Sequence, residues 1–502
     1  MSASSNSGRL RFDVNLPRSQ PSDAADEDSP LRVVVLGAFR GDSPMSEAPV
    51  RAIRVDIDNL DQVFASFQAT VLFPPAAGET ATAPCTFGSL DDFHPDSLLK
   101  RVEPLAALMR LRKRLNSPDT SAAALVELDT QTAAKQAPSP ASSAPATPAA
   151  RAEAPGDTLS RLLGRPAVPA PGANVPKPSS NQPAAFVENL LRQASASTSV
   201  PVASAELTQR RAQLDLDIAA RLRALLHHRP FQALEATWRG LDLLVREAGD
   251  EVHLHVIDLS RDALVDRLSQ NHNPLASQLG RQLDAIAPSV IVAAYTFDLA
   301  DVPALAACGR LAAALRTGFA AGAAPGVVGC PSFATTPHSL DWIRPASAAA
   351  EAFNQFRGLA EAAHVGLALP RYLVRQPYGR ESDPIESLPF EEISGPGEPD
   401  SFLWGNPAFL CGHVLINAFM KEGWNLEPTA GEVPGLPVHL FKEAGESRAT
   451  PCAEAWLSER DAEAILACGC MPVLSFRGRD SVLLPSLRSL AKPASALPLR
   501  RP

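Results

Sequence analysis

The sequence predicts an α/β protein of mixed α+β character in two domains, a small N-terminal one and a larger C-terminal one, joined by a disordered Ala/Pro/Ser linker. Three observations carry this. Short, continuous, β-branched apolar runs such as Leu31–Gly37 (LRVVVLG) and 289–294 (SVIVAA) have the composition of strands buried on both faces. Such runs alternate with helix-period segments through the second half of the chain. Between about Asn116 and Pro183 the composition turns to alanine, proline and serine, with APSPASSAPATPAA the clearest piece. The expected boundaries are 1–116, a linker over 117–183, 184–495, and a tail over 496–502.

In order, residues 10–16 (LRFDVNL) alternate like a strand and 21–30 form an acidic loop. Leu31–Gly37 is the first buried strand, closed by glycine; 50–57 is a second, 59–67 a short helix and 70–73 an extended piece. Residues 89–115 open on capping residues and run into a helix in which Leu98, Val102, Leu105 and Met109 share a face. Its last turn carries Arg110, Arg112, Lys113 and Arg114, a charge suited to a helix C-terminus. A flexible linker of ~65 residues has a root-mean-square reach of about 45 Å, so it joins domains without dictating their docking. Inside it, 157–164 (DTLSRLLG) puts Leu159, Leu162 and Leu163 on one side of a short helix, and 186–193 is another helix.

Leu214, Ile218, Leu222 and Leu225 then repeat at helical spacing until Pro230, lacking an N–H, stops the helix. A second helix follows at once. Phe231, Leu234, Trp238, Leu241 and Val245 form its apolar face, leaving Glu235, Arg239 and Asp242 for the other. Val252, Leu254 and Val256 alternate with His253, His255 and Ile257, the period of a half-buried strand. After 289–294 come a helix over Val302–Leu315 and strands over 326–330 and Val365–Leu369. An apolar helix within 402–424 follows, and the chain closes on a hairpin of MPVLSF and SVLL about the turn RGRD.

A net charge of −9 argues against a nucleic-acid-binding face. The cysteines, Cys85, Cys308, Cys330, Cys411, Cys452, Cys468 and Cys470, are scattered and odd in number, which suits a reducing compartment better than a disulfide framework. The N-terminus has no apolar signal region and no later run is long and apolar enough to span a bilayer. A cytoplasmic protein without nucleic-acid partner or membrane insertion is expected.

Several residues suggest chemistry, and each has a plainer reading. His253 and His255 turn to one face of a strand, as two metal ligands would, but also as a solvated strand face would. His227 and His228 sit at a helix end, where a charged imidazole suits the dipole better than ligation. Cys468 and Cys470 are spaced unlike a redox pair and read as buried thiols. Asp91, Asp92 and Asp96 read as caps and first-turn charges, and Glu391 with Glu392 as a solvated or ion-paired loop. No Walker loop, Gly-x-Ser-x-Gly or His-Glu-x-x-His occurs. No cofactor, metal or enzymatic activity is expected.

One group of segments carries a family resemblance. HHRPFQALEATWRGLDLLV, ALPRYLVRQPYG, PIESLPFEE, FLWGNPAF, AFMKEGW, GLPVHLF and GCMPVLSFRGRDSVLL, in that order, resemble the large sheath subunit of the type VI secretion system, a bacterial contractile tail. VVVLGAF, VDIDNLDQVF and FGSLDDFHPDSLLKRVEPLAALMRLRKRL resemble its small sheath subunit. The family is a heterodimer of separate proteins; here both are fused, small subunit first. Phe231, Leu234, Trp238, Pro370, Pro377, Tyr378, Trp404, Trp424 and Pro437 are the family-motif core, and Trp238, Trp404 and Trp424 hold domains together in this reading.

The resemblance implies a structural subunit that assembles into a helical tube around an inner tube and contracts to drive effector delivery. Implied partners are further copies of itself or standard sheath subunits, the inner tube protein, the baseplate and a recycling AAA+ unfoldase. Leu159, Leu162 and Leu163 are the candidates for the unfoldase, against an incidental apolar patch in a linker. Strands exchanged between neighbours are also implied, with Val33, Val34, Val35, Leu36, Val473, Leu474, Phe476, Val482 and Leu483 as candidates. The core is short between Asp262 and Pro288, and SVLLPSLRSL replaces the family's more aromatic ending. A non-polymerising cap, baseplate adaptor or co-assembling subunit therefore stays open.

Overall fold

A computed structural model describes residues 29–42, 50–74, 83–117, 119–136, 200–269, 274–343, 346–427 and 430–502. The chain divides into two compact units, one of Met1–Met109 with Asp215–Pro502 and one of Arg110–Leu214. The predicted strand 10–16, the helices over 157–164 (with Leu159, Leu162 and Leu163) and 186–193, and most of the Ala/Pro/Ser stretch lie outside the described residues.

The N-terminal elements are β1 (Leu31–Gly37), β2 (Ala52–Val55), α1 (Leu60–Phe67), an antiparallel pair of β3 (Ala69–Phe73) and β4 (Ala83–Phe87), a 3₁₀ turn (Leu90–Phe93), α2 (Pro95–Arg101) and α3 (Glu103–Leu115). The helix expected over 89–115 is broken at Val102, which is extended (φ −82°, ψ 107°). Pro104 is the cause, since in an unbroken helix it would lack the N–H for the Lys100 carbonyl and clash with it. Leu98, Val102 and Leu105 are buried all the same. The second unit contains the end of α3, α4 (Ser121–Gln136) and the start of α5 (Val200–Leu226). Helix α4 begins inside the stretch expected as linker; SAAALVELDTQTAAKQ has no proline or glycine and is rich in alanine, the best helix former.

The C-terminal half supplies α6 (Arg229–Glu247), β5 (Val252–Asp258), α7 (Arg261–Ser269), α8 (Gln278–Ile286), β6 (Val290–Phe297), α9 (Val302–Leu315), β7 (Gly318–Ala323), α10 (Ala348–Phe356), β8 (Val365–Leu369) and β9 (Tyr372–Leu373). Then follow β10 (Trp404–Gly405), α11 (Ala408–Glu422), β11 (Gly431–Val433), the hairpin β12 (Leu440–Glu443) and β13 (Glu446–Ala449), α12 (Glu459–Ala467), β14 (Met471–Pro472), β15 (Leu474–Ser475) and β16 (Val482–Leu484). The strand expected over 326–330 is a 3₁₀ turn, Pro325–Val328, because Pro325 and the left-handed Gly329 (φ 81°) close it. The strand lies earlier, in GFAAGA. A side chain at Gly318 would run into the Pro498 carbonyl at 2.6 Å, so that position of β7 has room only for glycine.

Seven strands form one sheet in the order β14-β8-β7-β6-β1-β5-β2, parallel except for β2. The two halves of the chain thus share a sheet. β1, from the N-terminal half, sits in its middle, with Val33 to Leu36 paired to Leu254–Ile257 of β5 on one side and Val290–Ala293 of β6 on the other. Val34 and Leu36 join an apolar cluster with Leu264, Leu283, Leu305 and Phe356 from α7, α8, α9 and α10. On the opposite face α6 and α11 pack together, and Gly412 of α11 lets Leu244 and Val292 approach. This is the three-layer arrangement that parallel sheets need to bury both faces.

Candidate functional site

The feature that makes one body of the two halves is a joint on α6. Its apolar face, read from the sequence, packs against the N-terminal elements. Trp238 is fully buried, its ring 3.9 Å from Phe64 and 5.0 Å from Phe39, and its Nε1 donates to the Phe39 carbonyl at 3.0 Å. Two turns earlier Phe231 meets Phe73, Phe87 and Phe93, with ring centroids 5.6–5.8 Å apart. Such aromatic pairs contribute about 0.5–1.5 kcal/mol each beyond area burial. Gly37 keeps the end of β1 close to α6, since a Cβ there would press on Phe39 and Thr237 at 3.1 Å.

The other face of α6 departs from expectation. Glu235 is fully buried rather than solvated, and its Oε1 accepts from Arg239 Nε at 2.9 Å and Arg375 Nε at 2.8 Å. Arg375, 8% exposed, also forks onto Glu392, 3% exposed, with Nη1 at 2.7 Å from Oε2 and Nη2 at 3.2 Å from Oε1. The Tyr378 backbone N–H donates to the same carboxylate at 2.8 Å, and the Arg375 guanidinium lies 4.2 Å from the Tyr378 ring. Burial raises the Tyr378 phenol above its usual range and the Glu235 and Glu392 carboxylates add to this, against the Arg375 and Arg239 charges, which lower it. Of the predicted Glu391/Glu392 pair, only Glu391 is exposed; the loop is ion-paired through Glu392. The pairing spans α6 and two loops, and only the i,i+4 spacing of Glu235 and Arg239 signals it in the sequence.

The predicted acidic caps divide similarly. Asp92 accepts from the Gly88 and Ser89 backbone N–H groups and pairs with Arg101; burial works against its charge, but these partners hold its carboxyl below the ordinary range. Asp96 does more than open α2. It accepts from the Glu386 and Ser387 backbone N–H groups at 3.0 and 3.1 Å, tying the N-terminal half to the PIESLPFEE loop. Burial opposes its ionisation, and the Ser387 and Glu386 hydrogen bonds more than offset that.

Val33, Val34, Val35 and Leu36 are 0% exposed in the middle of the sheet. The C-terminal hairpin is present, but β14 leaves it to pair with β8; β15 and β16 form the hairpin, Gly478 (φ 73°) lies in its turn, and β16 also pairs with β11. Val473, Leu474 and Val482 are buried there, Phe476 and Leu483 half-buried. Among the motif core, Leu234 is buried, Pro370 follows β8 through a cis peptide, and Pro377 leads into Tyr378. Trp404 donates to the Pro399 carbonyl, Trp424 to that of Ser29, and Pro437 is half-buried between β11 and β12.

His227 and His228 do not form the charged cap expected of them. Both imidazoles are held below their usual range, above all by burial, and His227 lies 3.7 Å from Glu392. His253 and His255 do face the same way on β5, but beside Arg32 and Arg54, which repel a cation. Among the described residues no third ligand joins them. Cys470 is buried, with its thiol pushed up by burial, and Cys468 half-buried.

With this geometry in hand, comparison with known proteins is direct. Residues 208–491 match the family model VipB, described as EvpB/VC_A0108, tail sheath N-terminal domain, over more than half the chain. Residues 9–132 match a second model, described as Type VI secretion system, VipA, VC_A0107 or Hcp2. The chain is similar to the type VI secretion system sheath protein TssC1 of Pseudomonas aeruginosa, 29% identical over 304 residues, which is 56% of this chain and 61% of that protein. The chain therefore spans less than two thirds of that relative's length.

Proposed function

The chain belongs to the VipB tail-sheath family and carries a VipA-type segment ahead of its VipB-type one, and from that premise we propose that it is a structural subunit of a type VI secretion contractile sheath. In this reading it polymerises into a helical tube around an inner tube, and the tube contracts to drive effector delivery. The observation that carries the proposal is β1, from the VipA-type segment, lying between β5 and β6 of the VipB-type one. In this reading the two family partners are fused in one chain, which fixes their ratio and makes the pairing of β1 intramolecular. A helical tube needs heterologous contacts that do not close into a ring, and no bond chemistry.

Strand exchange is part of the proposal. Because both ladders of β1 are filled, exchange of Val33–Leu36 would be a domain swap, with the same pairs formed against a neighbour's β5 and β6. The hairpin containing Val473, Leu474, Phe476, Val482 and Leu483 offers instead the outer edge of β15. Among the described residues no helix is long and apolar enough to cross a membrane, which is compatible with assembly in the cytoplasm. The inner tube, the baseplate and an AAA+ unfoldase, through Leu159, Leu162 and Leu163, complete the proposed partners.

The test is negative-stain electron microscopy of the pelleted protein expressed alone, then with standard sheath subunits. Hollow ridged tubes are expected. Monodisperse particles under both conditions would sink the polymer reading and favour the second one, a sheath-like cap or baseplate adaptor. That reading draws on the short 262–288 segment, which folds as little more than α7 and α8.

A further inference from the structure

The sheet face that carries His253 and His255 has an electrostatic feature that tube formation does not use. β1, β5 and β2 are adjacent, and their register sets Arg32 beside His253 and Arg54 beside His255. Paired residues point to the same face, so these four side chains share one side of three neighbouring strands. With strands about 4.8 Å apart and alternate residues about 6.7 Å apart, their Cα atoms fall within roughly 10 by 7 Å. Like charges placed side by side on a sheet are destabilising unless something opposes them.

Elsewhere in this unit arginines meet carboxylates: Arg40 with Asp258, Arg261 with Asp301, Arg371 with Glu454. Among the described residues no carboxylate pairs with Arg32 or Arg54. The nearby Arg500 is joined to Asp284, so that pair is neutral within itself. The groups acting on His253 are burial, Arg54 and Arg32, and on His255 burial, His253, Arg54 and Arg32, opposed by a backbone bond from residue 253. Both imidazoles are held below their usual range. His255 Nδ1 is buried and, among the described residues, makes no well-formed hydrogen bond. Beside it Val34, fully buried, brings the apolar core to the edge of the patch, where charge interactions are stronger than in open solvent.

We propose that this part of the sheet face is a binding site for a tetrahedral oxyanion of the phosphate class, held by the guanidinium groups of Arg32 and Arg54 with the imidazoles of His253 and His255 beneath it. A guanidinium fork matches two oxygens of such an anion. The bound charge draws a proton onto the imidazoles, and His255 Nδ1 gains the acceptor it lacks. Ligand uptake and proton uptake are therefore linked, and the anion binds more tightly as pH falls. The site stands or falls separately from tube formation.

Isothermal titration of the full chain with sodium sulfate, a dianion at every pH used, is the first arm. At constant ionic strength, one site is expected at about pH 6, weakening roughly tenfold or more by about pH 8 as the imidazoles lose their protons. Titration in two buffers of different ionisation heat should show net proton uptake. R32Q and R54Q, both at solvent-reached positions, should each weaken binding about tenfold while leaving the circular dichroism and melting profile unchanged. Inorganic phosphate and a phosphate monoester, compared at one pH, tell a free oxyanion from an esterified group; binding of either supports the site. Absence of binding, binding that survives in R32Q/R54Q, or binding indifferent to pH overturns it. So does a change in self-association in these variants without any change in anion affinity, which would assign the patch to carboxylates of a second copy.

Discussion

Replacing Arg375 with methionine tests whether the buried ionic joint holds the fold together. The substitution removes the fork onto Glu392 at 2.7 and 3.2 Å and the 2.8 Å bond to Glu235 in one step. Both carboxylates stay buried. Among the described residues Glu235 keeps only Arg239, its Oε2 already without a hydrogen bond, and Glu392 keeps the Tyr378 N–H and His227 at 3.7 Å. Breaking a buried pair from one side costs about 3–5 kcal/mol, because the stranded charge keeps its desolvation penalty. With a urea slope on the order of 3 kcal/mol/M, the unfolding midpoint followed by tryptophan fluorescence should fall by roughly 1 M. R375M/E392L, which removes one of the two stranded carboxylates and leaves Glu235 with Arg239, should recover part of the loss. A single variant within about 0.5 kcal/mol of the parent protein, or a double variant as damaged as the single, would refute the assignment of the joint to this network.

Trp238→Phe should cost about 1–3 kcal/mol, by leaving the Phe39 carbonyl without its donor, and Trp238→Ala about 3–5 kcal/mol, both read in the same urea titration. Asp96→Asn should destabilise the protein by about 1–3 kcal/mol at neutral pH. Because the Asp96 carboxyl is held below its ordinary range, its contribution is complete above the unfolded value near 3.9 and is lost as pH falls through the folded one; the gap to D96N, measured by thermal melting, should close in acid. Under native conditions a thiol reagent should label Cys468 first, since every other cysteine is buried, and all should react in urea.

The elements legible in the sequence are those whose own residues specify them. LRVVVLG declares a doubly buried strand by composition, and the period of Phe231, Leu234 and Trp238 declares the face of α6 that docks. β7 escaped because glycine and alanine carry no strand preference; their burial is dictated by Asn406 and Pro498, distant in the chain. Glu235 read only as part of the polar face of α6 because one carboxylate there says nothing of an arginine 140 positions later. Asp96 read as a local cap for the same reason, its backbone donors lying 290 and 291 residues away. The break at Val102 was within reach, since Pro104 marks it.

The central position of β1 also sets a timetable. A ribosome makes this strand well before its neighbours, since Arg32 and Ser289, which meet beside it, are 257 residues apart. At ~5–20 residues per second, roughly 10–50 s pass before both flanking strands have been synthesised. For most of that interval VVVLG, a short, uncharged, β-branched run of the kind that stacks into aggregates, has neither of its flanking strands. Arg32 and the carboxylates of Asp23, Asp26, Glu27 and Asp28 just ahead of it are the charges that guard it on the nascent chain.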